Sequence, residues 1–252
     1  MFFLCPIIRF KFVFVSLLII TQTPYNLYQS VAILIFAREL SKEASLKVLA
    51  PKNQLANKQI FQNLNILTKQ KTRSTQIPVF ISNDLNLDSK ASFGQNITAA
   101  ISTVFDKGFE NLICIGNDCP ALKTEHILTA AEALNTSDAV FGPDFRGGTY
   151  LIGLTKKAYD NVDFQALPWQ TPNLFQSILA SFSEKKIQIL DQLQDINTFK
   201  DLVLYSGERH IVSFLLKFTS SFQFLTFSWI NIAKSEVLLF SCSFRGPPIF
   251  GY

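Results

Sequence analysis

Two acidic residues stand where a carboxylate can do chemistry. Asp118 closes the run LICIGND, just beyond the apolar stretch Leu112–Ile115, and Asp195 follows a second apolar stretch, Ile187–Leu190. In an open α/β sheet, ligands bind beyond the carboxyl ends of the strands. A carboxylate placed there can hold a divalent cation, which in turn neutralises a diphosphate. Asn117 adds an amide beside Asp118, and Pro120 shapes the turn. Each acid also has a plain structural reading: Asp118 as a cap for the turn or the following helix, Asp195 as a cap for a helix over Thr198–Leu204. Between them, Gly142-Pro143 and Gly147-Gly148 bracket a loop. Glycines there let the backbone approach a sugar or phosphate closely, or merely serve a hairpin or crossover. In LPWQTP, Trp169 is suited to stack on a sugar face and equally to fill a core, with Thr171 two residues on.

These residues need strands to carry them. VAILIFA (31–37) is a continuous apolar run of the kind buried on both faces of a parallel sheet, and PVFIS (78–82), Leu112–Ile115, Ala139–Phe141, Tyr150–Leu154 and Ile187–Leu190 read as further short strands. Helical spacing predicts helices near Asn53–Lys71, where Ile60, Leu64 and Leu67 share a face, and over Ser92–Gly108, where Gly108 suits the stop. Two further helices are predicted from Thr124, read as N-cap, to Leu134, and over Pro172–Ser183. Arg38–Leu49 reads as polar sequence without an element of its own. The alternation predicts an α/β fold, a three-layer αβα domain around a mostly parallel sheet, over residues 28–205.

The flanks differ. Residues 1–27 are apolar, with Arg9 and Lys11 and no acid. Their core Phe12–Ile20 is shorter than the roughly 20 residues that span a bilayer. It resembles a signal-peptide h-region but lacks a small-x-small cleavage site. It reads as an extension outside the catalytic fold, leaving membrane contact through residues 1–20 open. Residues 206–252 are Phe-rich and read as a tail packing on the domain: a helix Glu208–Phe218, then strands Phe222–Trp229 and Glu236–Phe244.

Composition removes several classes. The chain is 48% hydrophobic and 17% charged, which is globular rather than disordered. A net charge of +4, with no run of Lys and Arg interleaved with aromatics, gives no nucleic-acid groove. Four cysteines without a CxxC pair and two histidines without HExxH fit no zinc pattern, and reduced thiols suit a cytoplasmic protein.

Taken together, SFGQNITAAISTVFDKGFENLICIGNDCPAL, then FGPDFRGGTYLIGL, then LPWQTP resemble a bacterial transferase family, the radical-SAM/selenodomain-associated transferases. Some members are named arsenosugar-biosynthesis glycosyltransferases. The resemblance runs from about Val31 to Leu202 and is strongest between Ser92 and Thr171. The family's G-x-D-x-P-x-L signature is similar to Gly116, Asp118, Pro120 and Leu122. Its G-P-x-x-D-G-G-Y block is similar to Gly142, Pro143, Gly147 and Gly148, and its D-x-D-T-x-x-D-L run to Asp195, Thr198, Asp201 and Leu202. The resemblance implies the nucleotide-diphospho-sugar transferase superfamily, with the glycosyltransferase type A fold. It also implies a nucleotide sugar donor, a small-molecule acceptor, and Mg²⁺ or Mn²⁺ held by Asp118 and Asp195.

Departures from the pattern bear on activity. Arg146 replaces the Asp of D-G-G, a change of two charge units, with Asp144 two residues earlier as a compensating acid. Thr149 replaces an aromatic and Asn197 replaces the second acid of D-x-D. A Gly- and Lys-rich loop that many relatives carry after the first strand is absent; Arg38, Lys42 and Lys47 remain there to attract phosphate. Three expectations follow: a metal-dependent glycosyltransferase-like enzyme with Asp118, Asp144 and Arg146 at the reacting centre, a nucleotidyltransferase on the same fold, or a catalytically degenerate binding protein.

Overall fold

The computed structural model describes residues 28–205, apart from Gln29 and Lys52. The readings made for residues 1–27 and 206–252 lie outside the described residues. Six strands form one sheet: β1 (Val31–Ile35), β2 (Val79–Ile81), β3 (Asn111–Ile115), β4 (Ala139–Pro143), β5 (Thr149–Thr155) and β6 (Ile187–Ile189), in the order β2-β1-β3-β5-β4-β6. All pairings are parallel except those of β5, which runs antiparallel to both β3 and β4. Its reversal follows from chain length. Only residues 144–148 join β4 to β5, and so short a link closes a hairpin, whereas parallel neighbours need a crossover of a dozen residues or more. The loop between the glycine pairs is therefore a hairpin loop.

β1, β3 and β4 are buried along their whole lengths because helices cover both sheet faces. Ala32, Leu34, Leu112, Cys114, Phe141, Ile152 and Leu154 point to one side. They meet Ile97, Ile101 and Val104 of α3 (Phe93–Phe105) and Ile178 of α6 (Leu174–Ser181). Their alternates Val31, Ile33, Ile35, Ile113, Ile115, Val140 and Leu151 face Ile127, Ala130 and Ala131 of α4 (Thr124–Ala133). The result is the three-layer arrangement that the apolar runs predict.

Helix ends follow local chemistry. Ser92 caps α3 through a reciprocal box, its hydroxyl accepting from the Gln95 N–H at 3.2 Å while the Gln95 side chain accepts from the Ser92 N–H at 2.8 Å. Gly108, with φ +93°, follows its end. Thr124 is the first residue inside α4 rather than its cap: its hydroxyl donates to the Lys71 carbonyl, and His126 Nδ1 accepts the Lys123 N–H at 3.0 Å.

Two helices were not legible as such: α1 (Leu40–Leu46), within the polar stretch after β1, and α5 (Lys156–Tyr159), one turn after β5. A buried asparagine ties α1 to α2 (Gln54–Arg73). Asn57 Oδ1 accepts from the N–H groups of Leu49 and Ala50 at 2.7 and 3.1 Å, and its Nδ2 donates to the carbonyls of Ala44 and Lys47 at 2.7 and 2.9 Å. Four backbone groups of the α1–α2 connection are thereby satisfied by one side chain, which fixes where Lys47 projects. Leu49, Ala50, Ile60, Phe61, Leu64 and Ile196 close a third apolar cluster beneath.

Candidate active site

A cleft of about 440 Å³ opens at the carboxyl ends of β1, β3 and β4, where an α/β sheet places its ligands. Ala37 and Arg38 after β1, Gly116–Asp118 after β3, Asp144 after β4, and Asp195 and Asn197 beyond β6 all line it. Arg146, Gly148, Trp169 and Thr171 line it too. Residues distant in sequence thus share one hollow. Gly142, Pro143 and Gly147 are not among the lining residues. A Cβ on Gly142 would meet the Tyr150 ring at 2.3 Å, and one on Gly147, which has φ +83°, would meet the Pro172 carbonyl oxygen at 1.9 Å. Both glycines serve close packing. Gly148, by contrast, leaves room for Asp144, whose Oδ2 lies 2.8 Å from where a Cβ would sit.

Four carboxylates line the cleft, those of Glu43, Asp118, Asp144 and Asp195. Asp144 is buried and accepts the N–H groups of Arg146 and Gly148 on Oδ1, each at 2.7 Å. Asp195 is buried, and its Oδ1 has no hydrogen-bond partner. Burial, then the charges of Asp118 and Asp144, push its carboxyl up to about 8, against a smaller opposing influence from Cys119 and Lys47. A carboxyl with a free buried oxygen beside two like charges is an arrangement that a bound cation would relieve. Asp195 does not cap the last helix, α7 (Phe199–Tyr205). Thr198 and Asp201 do: the Asp201 carboxylate accepts the Thr198 N–H and hydroxyl at 2.8 and 2.9 Å, and the Thr198 hydroxyl accepts the Asp201 N–H at 3.2 Å.

Asp118 is held by a cation from the chain itself. Lys47 Nζ lies 2.6 Å from Asp118 Oδ2 and 2.9 Å from Glu43 Oε1, while Glu43 Oε2 meets Arg38 Nη1 at 3.1 Å. Burial works against the charge on Lys47, but Asp118 and Glu43 outweigh it and raise its pKa. Arg38, Glu43, Lys47 and Asp118 form one neutral chain along the cleft. Lys42 is exposed and is not a lining residue. Sequence reading missed Glu43; the signal was its i,i+4 spacing to Lys47 on a short helix.

Arg146 is tied by its Nη2 to Asp201 Oδ1 at 2.5 Å. Burial opposes the Asp201 charge, but Arg146 and the Asn197 and Thr198 donors prevail and hold its carboxyl below the usual range. Asn117 donates to Asn65 Oδ1 at 2.6 Å, which turns its amide away from a free role. Trp169 belongs to both of its readings. Its Nε1 donates to the Phe164 carbonyl at 2.6 Å and its ring lies 5.6 Å from that of Phe93, yet it lines the cleft with Phe36 and Phe93. Thr171 is exposed and bonds its own turn, donating to the Pro168 carbonyl.

Oxygen donors without Cys or His suit Mg²⁺ or Mn²⁺ in kind. Among the described residues no three acids, histidines or cysteines are drawn together as a finished cation cage. The fit therefore rests on the unpartnered Asp195 oxygen and on the Asp118 carboxylate, which Lys47 already neutralises.

The fold is a mixed α/β fold whose structural neighbours have the nucleotide-diphospho-sugar transferase fold. The chain is similar to a structure from Desulfovibrio desulfuricans G20 assigned to those transferases, with TM-score 0.61 and 19% identity over 81% of this chain and 97% of that one. It is also similar to 4-diphosphocytidyl-2C-methyl-D-erythritol synthase from Anaerococcus prevotii, with TM-score 0.46 and 11% identity over 71% and 97%. A third similar structure is Rv0371c of Mycobacterium tuberculosis in complex with manganese, with TM-score 0.44 and 9% identity over 69% and 96%. In sequence, residues 53–171 match the family described as an uncharacterized protein conserved in bacteria, DUF2064. No curated protein matches. Among the described residues no helix is long and apolar enough to cross a membrane.

Proposed function

We propose that the cleft binds a nucleoside diphosphate sugar with Mg²⁺ or Mn²⁺ and transfers the sugar to a small acceptor, in the manner of the radical-SAM/selenodomain-associated transferases that the sequence resembles. The observation that carries this reading is the buried, unpartnered Oδ1 of Asp195, in the same cleft as Asp118 and Asp144. Asp118 and Asp195 would hold the cation, with Asp144 as the adjacent fixed carboxylate. When bound, the cation supplies charge neutralisation to the departing diphosphate. Asp144 is already positioned by two backbone N–H groups, so its orientation needs no rearrangement on binding. Trp169, pinned by Phe164 and Phe93, offers an apolar wall on which the acceptor rests.

Calorimetric titration with a panel of nucleotide sugars, with and without Mn²⁺, tests this. Mn²⁺-dependent binding of at least one donor is expected, with loss of about tenfold or more in Asp118→Ala. Absence of any donor binding, or an unchanged affinity in the variant, would remove the basis for the reading. Nucleotidyl transfer is the second reading, supported by the same oxygen-donor cleft. Release of pyrophosphate from a nucleoside triphosphate would separate it from sugar transfer.

A further inference from the structure

Two cleft positions depart from the pattern of acids, and the structure brings them to one carboxylate. Asp201 Oδ1 takes Arg146 Nη2, while its Oδ2 takes the backbone N–H groups of Asn197 and Thr198 at 3.0 and 2.8 Å and the Thr198 hydroxyl at 2.9 Å. Asp201 is buried and anchored by the cap of α7, so it holds the hairpin loop and the segment after Asp195 together. Arg146 and Asn197 both line the cleft. The contact with Asp201 uses only one edge of the guanidinium. Its remaining N–H groups, and the Asn197 side-chain amide, have no partner among the described residues. The Arg146 side chain is 43% exposed, so those donors are open to a ligand.

From this geometry we infer that Arg146 and Asn197 form an oxyanion subsite, taking a phosphate or carboxylate group of a ligand in the cleft. Asp201 is its positioning residue. The guanidinium supplies a planar fork of N–H donors matched to two oxygens, and Asn197 adds neutral donors beside it. Asp201 fixes the fork before a ligand arrives, which lowers the ordering cost of binding. With acids at positions 146 and 197 this rim would attract cations; with Arg and Asn it selects anions. The inference rests on reading the cleft as the substrate site, and it leaves two sources for the anion: the diphosphate of the donor, or an acidic group on the acceptor.

Calorimetry with inorganic pyrophosphate, a nucleoside diphosphate and the matching nucleoside tests it on the full chain. The variants are Arg146→Gln, Arg146→Lys, and Arg146→Gln with Asp201→Asn, which keeps the fold free of an unpaired buried acid. Pyrophosphate and the diphosphate are expected to lose about tenfold or more in both Gln variants and less in Arg146→Lys, with the nucleoside unaffected. If the nucleoside diphosphate loses affinity in the Gln variants, the anion is the donor's. If only a free carboxylate or phosphate added at saturating donor loses it, the anion is the acceptor's. Asp201→Asn should weaken pyrophosphate binding when Arg146 is present and change nothing further in Arg146→Gln, whereas a purely structural contact would weaken both alike. Equal affinity of wild type and both Gln variants for every anion, or no anion binding by wild type, overturns the proposal. The reading of the cleft fails separately, if the nucleoside diphosphate binds no better than pyrophosphate and Asp118→Ala changes nothing.

Discussion

Replacing Asp195 by Asn should stabilise the protein while removing its response to a divalent cation. The carboxyl has an ordinary value of 3.8 and is pushed to about 8 in the fold. The unfolded chain therefore releases a proton that the folded chain retains anywhere between those values. Stability from this group is complete below pH 4, falls by about 1.4 kcal/mol per pH unit as pH rises through the window, and levels off above pH 8. At pH 7 the accumulated cost is on the order of 4 kcal/mol. An amide cannot ionise, so Asp195→Asn escapes that cost, less what its extra N–H donor loses by burial, a net gain of about 2–3 kcal/mol. For a domain of this size that is a rise of about 4–12 °C in Tm at pH 7. Thermal melts from pH 5 to 9 would show wild type losing stability across the range relative to the variant. Adding Mn²⁺ should raise the Tm of wild type and leave the variant unmoved, because the cation relieves the crowding that the amide has already removed. A variant that melts lower than wild type at pH 7, or in parallel with it at every pH, would refute the placement of Asp195 among like charges.

Lys47→Met should let Mn²⁺ alone bind more tightly, by about tenfold, because an ammonium 2.6 Å from Asp118 competes for the same oxygen; a Mn²⁺ titration followed by paramagnetic resonance would check it, and weaker binding would contradict it. Asn57→Ala strips four backbone groups of their partner and should cost about 2–4 kcal/mol in denaturant melts, with the Lys47 contact loosened as well. Gly147→Ala should cost about 3 kcal/mol by the same assay, since the added methyl meets the Pro172 carbonyl and the backbone there has φ +83°. A loss under about 1 kcal/mol would show that the hairpin loop yields easily.

Much of the scaffold was legible because burial on both faces writes itself as uninterrupted apolar runs. VAILI, LICI and AVF read as strands without any knowledge of their neighbours, and the helix from Ser92 to its glycine stop at Gly108 contains α3. The antiparallel sense of β5 was less visible: it depends on the five-residue hairpin loop, and the glycines in it suit a crossover equally well. α1 escaped because it is seven residues long and mostly polar, with only Leu40 and Ala44 packing on the apolar cluster and Asn57 of another helix holding its end. At the site, Asp118 and Asp195 could be picked by their place after strands. Their shared cleft could not, nor could the Lys47–Asp118 contact across 71 residues of chain. From sequence Arg146 read as a candidate at the reacting centre and as a departure that bears on activity; only Asp201, brought next to it by the α7 cap, shows what the guanidinium is held against.

Crystals soaked with Mn²⁺ and a nucleoside diphosphate, and measured for anomalous scattering, address the cation site most directly. The account predicts one peak within coordination distance of both Asp118 and Asp195, with the Lys47 ammonium displaced towards Glu43. A cleft without manganese at saturating concentration, or a peak that touches neither carboxylate, would contradict it.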